Sequence, residues 1–307
     1  MDFRIPIGQW ITVVVNWLLD NAEGFFDIIS FAIGWLTHGL NQGLHALPVW
    51  VLIVLLAAVA WWRVSLRLAI YVVASLVIII GMHLWSDMVS TLALVLSATL
   101  VSLLLGIPLG ILMAKSDLME RLIRPALDTM QTMPAFVYLI PAVMFFGLGQ
   151  VPGTIATIIF AMPPAVRLTN LGIRQVPKET IEAGLAFGCT DLQLLFKVQL
   201  PNAMPSIMAG INQNIMLALS MVVIASMIWA GGLGDPVLRG IQRLDVGMGF
   251  EGGIGVVLLA IILDRITQSF GGKRGRRSMR DRTRRLTGFF KSSDPTKGKE
   301  PSDDTIN

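Results

Sequence analysis

Seven stretches of this chain are apolar enough to demand hydrocarbon around them: residues 47–63, 66–85, 88–114, 134–150, 152–169, 206–230 and 252–270. A helix crosses an apolar slab of about 30 Å with about 20 residues, each rising about 1.5 Å. Inside that slab the backbone must satisfy its own hydrogen bonds, which selects helices. Composition agrees, with 54% hydrophobic residues and 14% charged, where a soluble domain runs near a quarter charged. The expectation is an all-α polytopic membrane protein with about seven spans.

Proline marks two of these stretches. Pro134, Pro141, Pro152, Pro163 and Pro164 interrupt 134–150 and 152–169. Proline in a membrane helix frees a carbonyl that only a neighbour or water can satisfy. Both segments are therefore expected inside a bundle or along a path, away from lipid.

Lys and Arg set the sidedness. Arg63 and Arg67 flank the first connection; Lys115, Arg121 and Arg124 lie in 115–133; Arg174, Lys178 and Lys197 lie in 170–205. From Lys273 onward there are 11 Lys and Arg against 5 Asp and Glu. Seven spans put all four regions on one side, the cytoplasm, with the N-terminus outside and the C-terminus inside. The loop 231–251 opposes Arg239 and Arg243 with Asp235, Asp245 and Glu251, which suits the outer side. The beginning MDFRIPIGQW lacks the positive n-region of a secretory leader, so no cleavable signal is expected.

Residues 1–46 read as an N-terminal region. Trp10, Val14, Trp17 and Leu18 fall at helical spacing, with Asn16, Asp20 and Asn21 opposite. A helix lying in the outer interface accounts for both the tryptophans and the acids; an eighth span would turn the N-terminus inward. Residues 47–85 supply two peripheral spans and 86–272 the main bundle. Residues 273–307 read as a basic cytoplasmic tail too polar to offset ordering entropy. The tail is either a topology anchor or a sensor of anionic lipid that weakens with salt.

One polar segment, 178–201, is lodged between apolar runs and should sit in water beside the bilayer. Pro177 suits a helix start, Lys178 and Glu179 fill its first turn, and Pro201 closes the segment. Gly184 and Gly188, four apart, are expected to give a flat face for close backbone approach. Glu182 is placed to make a charge-assisted hydrogen bond to a basic partner residue.

The run EAGLAFGCTDLQLLFKVQLP, 182–201, resembles the signature loop of ABC-importer permeases: Glu-Ala-Ala, three residues, Gly, nine residues, Ile, one residue, Leu-Pro. Glu182, Ala183, Gly188, Leu200 and Pro201 match in register; Gly184 stands for the second Ala and Val198 for Ile. The resemblance narrows toward glycine betaine/proline permeases through QTMPAFVYLIPAVMFFGLGQVPG (131–153), PPAVRLTNLGIRQVPKETIEAG (163–184) and GGLGDPVLRGIQRLD (231–245), and spans about 88–270. It implies a five-helix type I importer core with extra N-terminal helices. It also implies a second copy of the chain, a cytoplasmic ATPase that holds ATP and Mg and docks on the loop, and an extracytoplasmic solute-binding protein. The setting implied is a bacterial inner membrane, with lipid and no nucleic acid as surroundings.

Other site residues follow from chemistry. A quaternary ammonium solute has no N–H to donate and favours aromatic faces, so Phe136, Tyr138, Phe145, Phe146 and Trp229, with Met144, are candidates for the path. Asp235, Arg239, Arg243, Asp245 and Glu251 are candidates for docking the binding protein. Neither Gly272-Lys273 nor Gly298-Lys299 has the spacing of a phosphate-cradling loop, so the chain itself is expected to be non-catalytic and without cofactor. The spacing Gly247, Gly249, Gly252 follows no strand and reads as a tight outer loop. Three His and one Cys offer no metal set or disulfide framework. Cys189 reads as a small half-buried residue. A choline or carnitine importer remains an alternative. A self-sufficient secondary transporter would need an inverted repeat or intramembrane charges; no repeat is evident, and Asp264 and Arg265 fall near the end of the last span.

Overall fold

The structure is a computed structural model that describes residues 7–271; the basic tail, 273–307, lies outside the described residues. In chain order the helices are α1 (Ile7–Ala46), α2 (Val49–Arg63), α3 (Leu66–Gly81), α4 (Trp85–Lys115), α5 (Asp117–Thr132), α6 (Leu139–Phe146), α7 (Gln150–Arg174), α8 (Lys178–Ala186), α9 (Asp191–Gln193), α10 (Leu200–Ala225), α11 (Gly234–Arg243) and α12 (Val246–Gly271). Helices α4, α7, α10 with its approach, and α12 are each long and apolar enough to cross a membrane. At 16 residues, α3 is shorter.

Two expectations change. The stretch 134–150 is not one span. Pro134 precedes a 3₁₀ turn at Ala135–Tyr138, and α6 has only 8 residues, a rise of about 12 Å. The polar connection before it is helix α5, which Ser116 caps by accepting from the Met119 N–H. Together α5 and 135–146 form a broken pair bent by 110°. Glycines 147 and 149, at φ +76° and +125°, turn the chain into α7.

Glycines set how closely the central helices approach. A Cβ on Gly110 would lie 2.6 Å from both the Thr169 Cβ and the Val166 carbonyl oxygen, and one on Gly106 3.3 Å from the Ala165 Cβ. These positions, four apart, lay α4 on α7 by the small-residue packing typical of membrane helices. The two helices run parallel. On its other side α7 meets α10 antiparallel: Gly153 faces Ala225 and Ala230, and Gly172 faces Ala203 and Ser206. Pro163 and Pro164 are buried within a continuous α7, as their placement inside a bundle requires. Asn214 of α10 donates to the Ala161 carbonyl at 2.7 Å, a peptide oxygen close to that pair. Gly110→Ala should therefore cost about 1–3 kcal/mol, because the Val166 backbone cannot yield. Gly39→Ala, with nothing within 4 Å, is the control, and thermal unfolding in detergent measures both.

Contacts at helix ends establish which ends share a side. Arg174, closing α7, donates to the Met113 carbonyl near the end of α4. Asn212 of α10 donates to Asp264 of α12. The Arg63 guanidinium lies 4.0 Å from the Phe270 ring centroid. The Lys- and Arg-bearing ends thus gather together. At the other end His45 meets Ser86 (3.3 Å), the Gly149 N–H donates to the Ile228 carbonyl, and the Leu233 N–H donates to Thr91 Oγ1.

Helix α1 breaks at Ala22 (φ −123°, ψ 19°) and stands at 104° to α2. Its later half meets that second end of the bundle: Phe26 stacks on Phe145 at 4.4 Å, Gly34 lies against Val151, and His45 reaches Ser86. It runs across helix ends rather than alongside a span.

Candidate functional site

The segment after α7 is built from local rules. Pro177 precedes α8, and Gly188 at φ +77° follows its end. Thr190 then opens α9 with a reciprocal capping box: its hydroxyl accepts from the Gln193 N–H, and the Gln193 side chain accepts from the Thr190 N–H. A π-helical stretch, Leu194–Gln199, leads into α10. Pro201 thus stands in the first turn of a long helix and does not end a segment. Proline breaks the regular i−4 ladder, and the π-helical stretch immediately before Pro201 is where that ladder changes register.

The two glycines differ in purpose from the flat face expected of them. A Cβ at Gly188 would meet nothing within 4 Å; its left-handed backbone is what calls for glycine. Gly184 is buried against the segment's own return, where a Cβ would sit 2.8 Å from Leu194 Cδ1 and 3.6 Å from Val198 Cγ2. Both partners are the flexible tips of side chains, so the Ala of the family pattern fits after a small shift of Leu194. Leu194 and Leu195 are buried and hold the segment to the bundle.

What remains faces outward. Glu182 and Ala183 are exposed, and Glu182 makes no ion pair among the described residues. Leu185 is exposed too, as are Leu192 and Phe196, and Phe187 is 90% exposed. Leu185 and Leu192 are therefore not packed on the bundle. With Phe187 and Phe196 they make a projecting apolar patch beside a free carboxylate. The sequence reading missed Phe187, an aromatic residue next to the turn-forming Gly188. Leu200 is half-buried and Cys189 intermediate.

A polar network backs this segment. Arg174 donates to Asp117 (2.7 Å) and to Asn170 Oδ1 (3.1 Å), and pairs with Glu120 (3.0 Å). Arg124 also pairs with Glu120 (2.9 Å), and Arg167 pairs with Asp128. The end of α7, three residues before Pro177, is thereby tied to α5.

The path candidates divide. Tyr138 is buried and its hydroxyl donates to the Met130 carbonyl; Phe145 and Phe146 pack on Phe26. Phe136, Met144 and Trp229 are exposed. Among the docking candidates, Arg239 and Asp235 pair at 3.4 Å on α11, and Asp245 caps α12 by accepting from the Met248 N–H. Arg243 and Glu251 are exposed. The glycines at 247, 249 and 252 are not a loop but the first turns of α12. A Cβ on Gly240 would be 2.5 Å from Gly249 Cα, and one on Gly252 2.9 Å from the Val237 backbone nitrogen, so Gly249 and Gly252 lie where α11 and α12 cross. Among the described residues no group of three metal-ligating side chains occurs.

An all-helical membrane bundle with a projecting segment of this spacing defines a class. Residues 106–274 match the model of the family described as binding-protein-dependent transport system inner membrane component; the chain belongs to this family. It is 51% identical over 267 residues, 87% of this chain and 75% of the relative, to the glycine betaine/proline betaine transport system permease protein ProW of Escherichia coli strain K12. It is 52% identical over 273 residues, 88% of this chain and 96% of the relative, to the glycine betaine/carnitine transport permease protein GbuB of Listeria monocytogenes. Among solved structures, the inward-facing MetNI methionine ABC transporter shares the fold at TM-score 0.52 and 20% identity, over 59% of this chain and 89% of that chain.

Proposed function

We propose that this protein is the translocation subunit of an ATP-driven importer of glycine betaine, proline betaine and related compatible solutes, serving osmoprotection in a bacterial inner membrane. The observation that carries the reading is the apolar and acidic patch of Glu182, Leu185, Phe187, Leu192 and Phe196, projecting from the Lys- and Arg-rich end of the bundle. Such a surface fits a groove with basic groups on a soluble ATPase. That subunit supplies ATP and Mg; this chain supplies the path. Two copies, each with its own segment, move from inward- to outward-facing when nucleotide draws the two ATPases together. A binding protein delivers solute at the other end.

Clustering of the Lys and Arg supports a cytoplasmic C-terminus. The course of α1 across the opposite helix ends, with Trp10, Trp17, Phe31 and Trp35 exposed, supports a helix in the outer interface and an N-terminus outside. The names of the relatives support glycine betaine first, with carnitine as a companion solute through GbuB.

The test is uptake of labelled glycine betaine into proteoliposomes with the binding protein present, with and without the ATPase subunit. Uptake that requires both ATPase and ATP supports the reading. Uptake by this chain alone would replace it with a secondary transporter.

A further inference from the structure

A cavity of about 250 Å³ opens at the outer mouth, where α10 ends and α11 begins, lined by Met227, Trp229, Asp235, Arg239 and Gln242 among others. Path and docking candidates, six and ten residues apart in sequence, thus share one space. Trp229 is held at φ +68°, ψ 30°, a left-handed conformation unusual for so bulky a residue. Its side chain is nevertheless 79% exposed, so no core packing accounts for that placement. The surrounding chain is pinned on both sides, by the Gly149 N–H to the Ile228 carbonyl (2.9 Å) and by the Leu233 N–H to Thr91 Oγ1 (2.8 Å). Strain kept at an over-determined position points to function.

The charges complete the picture. Arg239 is 60% exposed and meets Asp235 only at 3.4 Å, which leaves most of its donors free. Asp87 lies within electrostatic reach of both, so the two acids outnumber the guanidinium. An indole face and carboxylates attract a cation that has no N–H to donate. A guanidinium with free donors takes a carboxylate. We infer that this cavity is a receiving site for a zwitterion with a quaternary ammonium at one end and a carboxylate at the other. The inference rests on the importer reading above and adds the place of entry. Below Met227 the exposed residues Ser220, Met216 and Gln213 share one face of α10 at helical spacing and lead inward from the cavity.

The experiment has two arms. In the first, the purified full chain in nanodiscs is titrated with glycine betaine and with tert-butylacetate, its uncharged-head carbon isostere, by saturation-transfer NMR on the methyl signals. Glycine betaine should bind about two- to fivefold more tightly, the scale of a cation–π contact at an exposed ring. Trp229→Leu and Arg239→Gln should each abolish that preference or that binding, and Trp229→Phe should retain it. Equal binding of the two ligands, or a Trp229→Leu chain that binds like wild type, overturns the site. That result would leave Trp229 as an interface anchor or a contact for the binding protein. The second arm is glycine betaine uptake by the complete complex carrying the same variants. Wild-type uptake with unimpaired Trp229→Leu and Arg239→Gln variants removes the site and keeps the importer. No wild-type uptake removes the importer reading and this inference with it.

Discussion

Replacing Phe187 by Asp should lower ATP-driven glycine betaine uptake by about 30-fold or more, the effect of losing about 2 kcal/mol at an interface hot spot. Phe187 is 90% exposed, so the chain's own core loses almost nothing with it, and yield and thermal stability should stay at wild-type values. The aromatic ring projects from a corner that Gly188 and the Thr190 capping box hold in one shape, so little ordering is needed when a partner closes over it. An aspartate there loses the ring's apolar contact and must itself be desolvated. Co-purification with the ATPase should fall in parallel with uptake, which separates failed docking from a blocked path. Glu182→Ala should also abolish transport while insertion and dimer formation survive, since its carboxylate is exposed and makes no ion pair among the described residues. Normal uptake and normal co-purification of Phe187→Asp would mean that another surface carries the partner.

Apart from 134–150, the apolar helices were legible because burial in hydrocarbon leaves a crude signature, long runs without charge. The projecting segment was legible because its residue types recur at fixed spacing over twenty positions. Four features were not. Helix α5 reads as a loop because its residues are polar; only Ser116 followed by Asp117 and Glu120, a cap with acids in the first turn, hinted at a helix start. Gly249 and Gly252 read as a turn because glycine serves both turns and close helix crossings, and only the partner backbone at Gly240 tells them apart. Trp229 and Arg239 drew two different roles because Gly231-Gly232 marks a turn in the sequence without showing which side chains it brings face to face. The left-handed Trp229 and the positive-φ pair Gly231 and Gly232 make that reversal. Exposure of Phe187 was hidden for a related reason: an apolar residue in an apolar stripe looks the same whether it faces the bundle or a partner.

Arg174 shows what that hidden geometry does to the mechanism. Its guanidinium holds the Met113 carbonyl at 2.9 Å, Asp117 at 2.7 Å and Glu120 at 3.0 Å. The Glu120 side chain is only 16% exposed. Movement of the 178–201 segment would therefore pass to α4 and α5 through the last turn of α7, and α5 is the first half of the broken pair whose second half carries Phe136 and Met144. Arg174→Gln should leave Glu120, among the described residues, with the solvent-facing Arg124 as its one ion-pair partner and a long 3.4 Å bond from Asn170. The expected cost is about 2 kcal/mol, below the 3–5 kcal/mol of a fully buried pair because Arg174 itself is partly solvated. Uptake should fall about tenfold or more, the equivalent of 1.4 kcal/mol. Arg174→Lys should not restore it: Nη2 alone meets those three acceptors, and the shorter lysine gives up the separate Nε bond to Asn170. The discriminating measurement is a double-mutant cycle with Glu120→Gln, read both as thermal stability and as uptake. Coupling in both readouts ties the network to transport. Coupling in stability alone would reduce it to a brace, and the signal from the docking segment would have to pass through α10 instead.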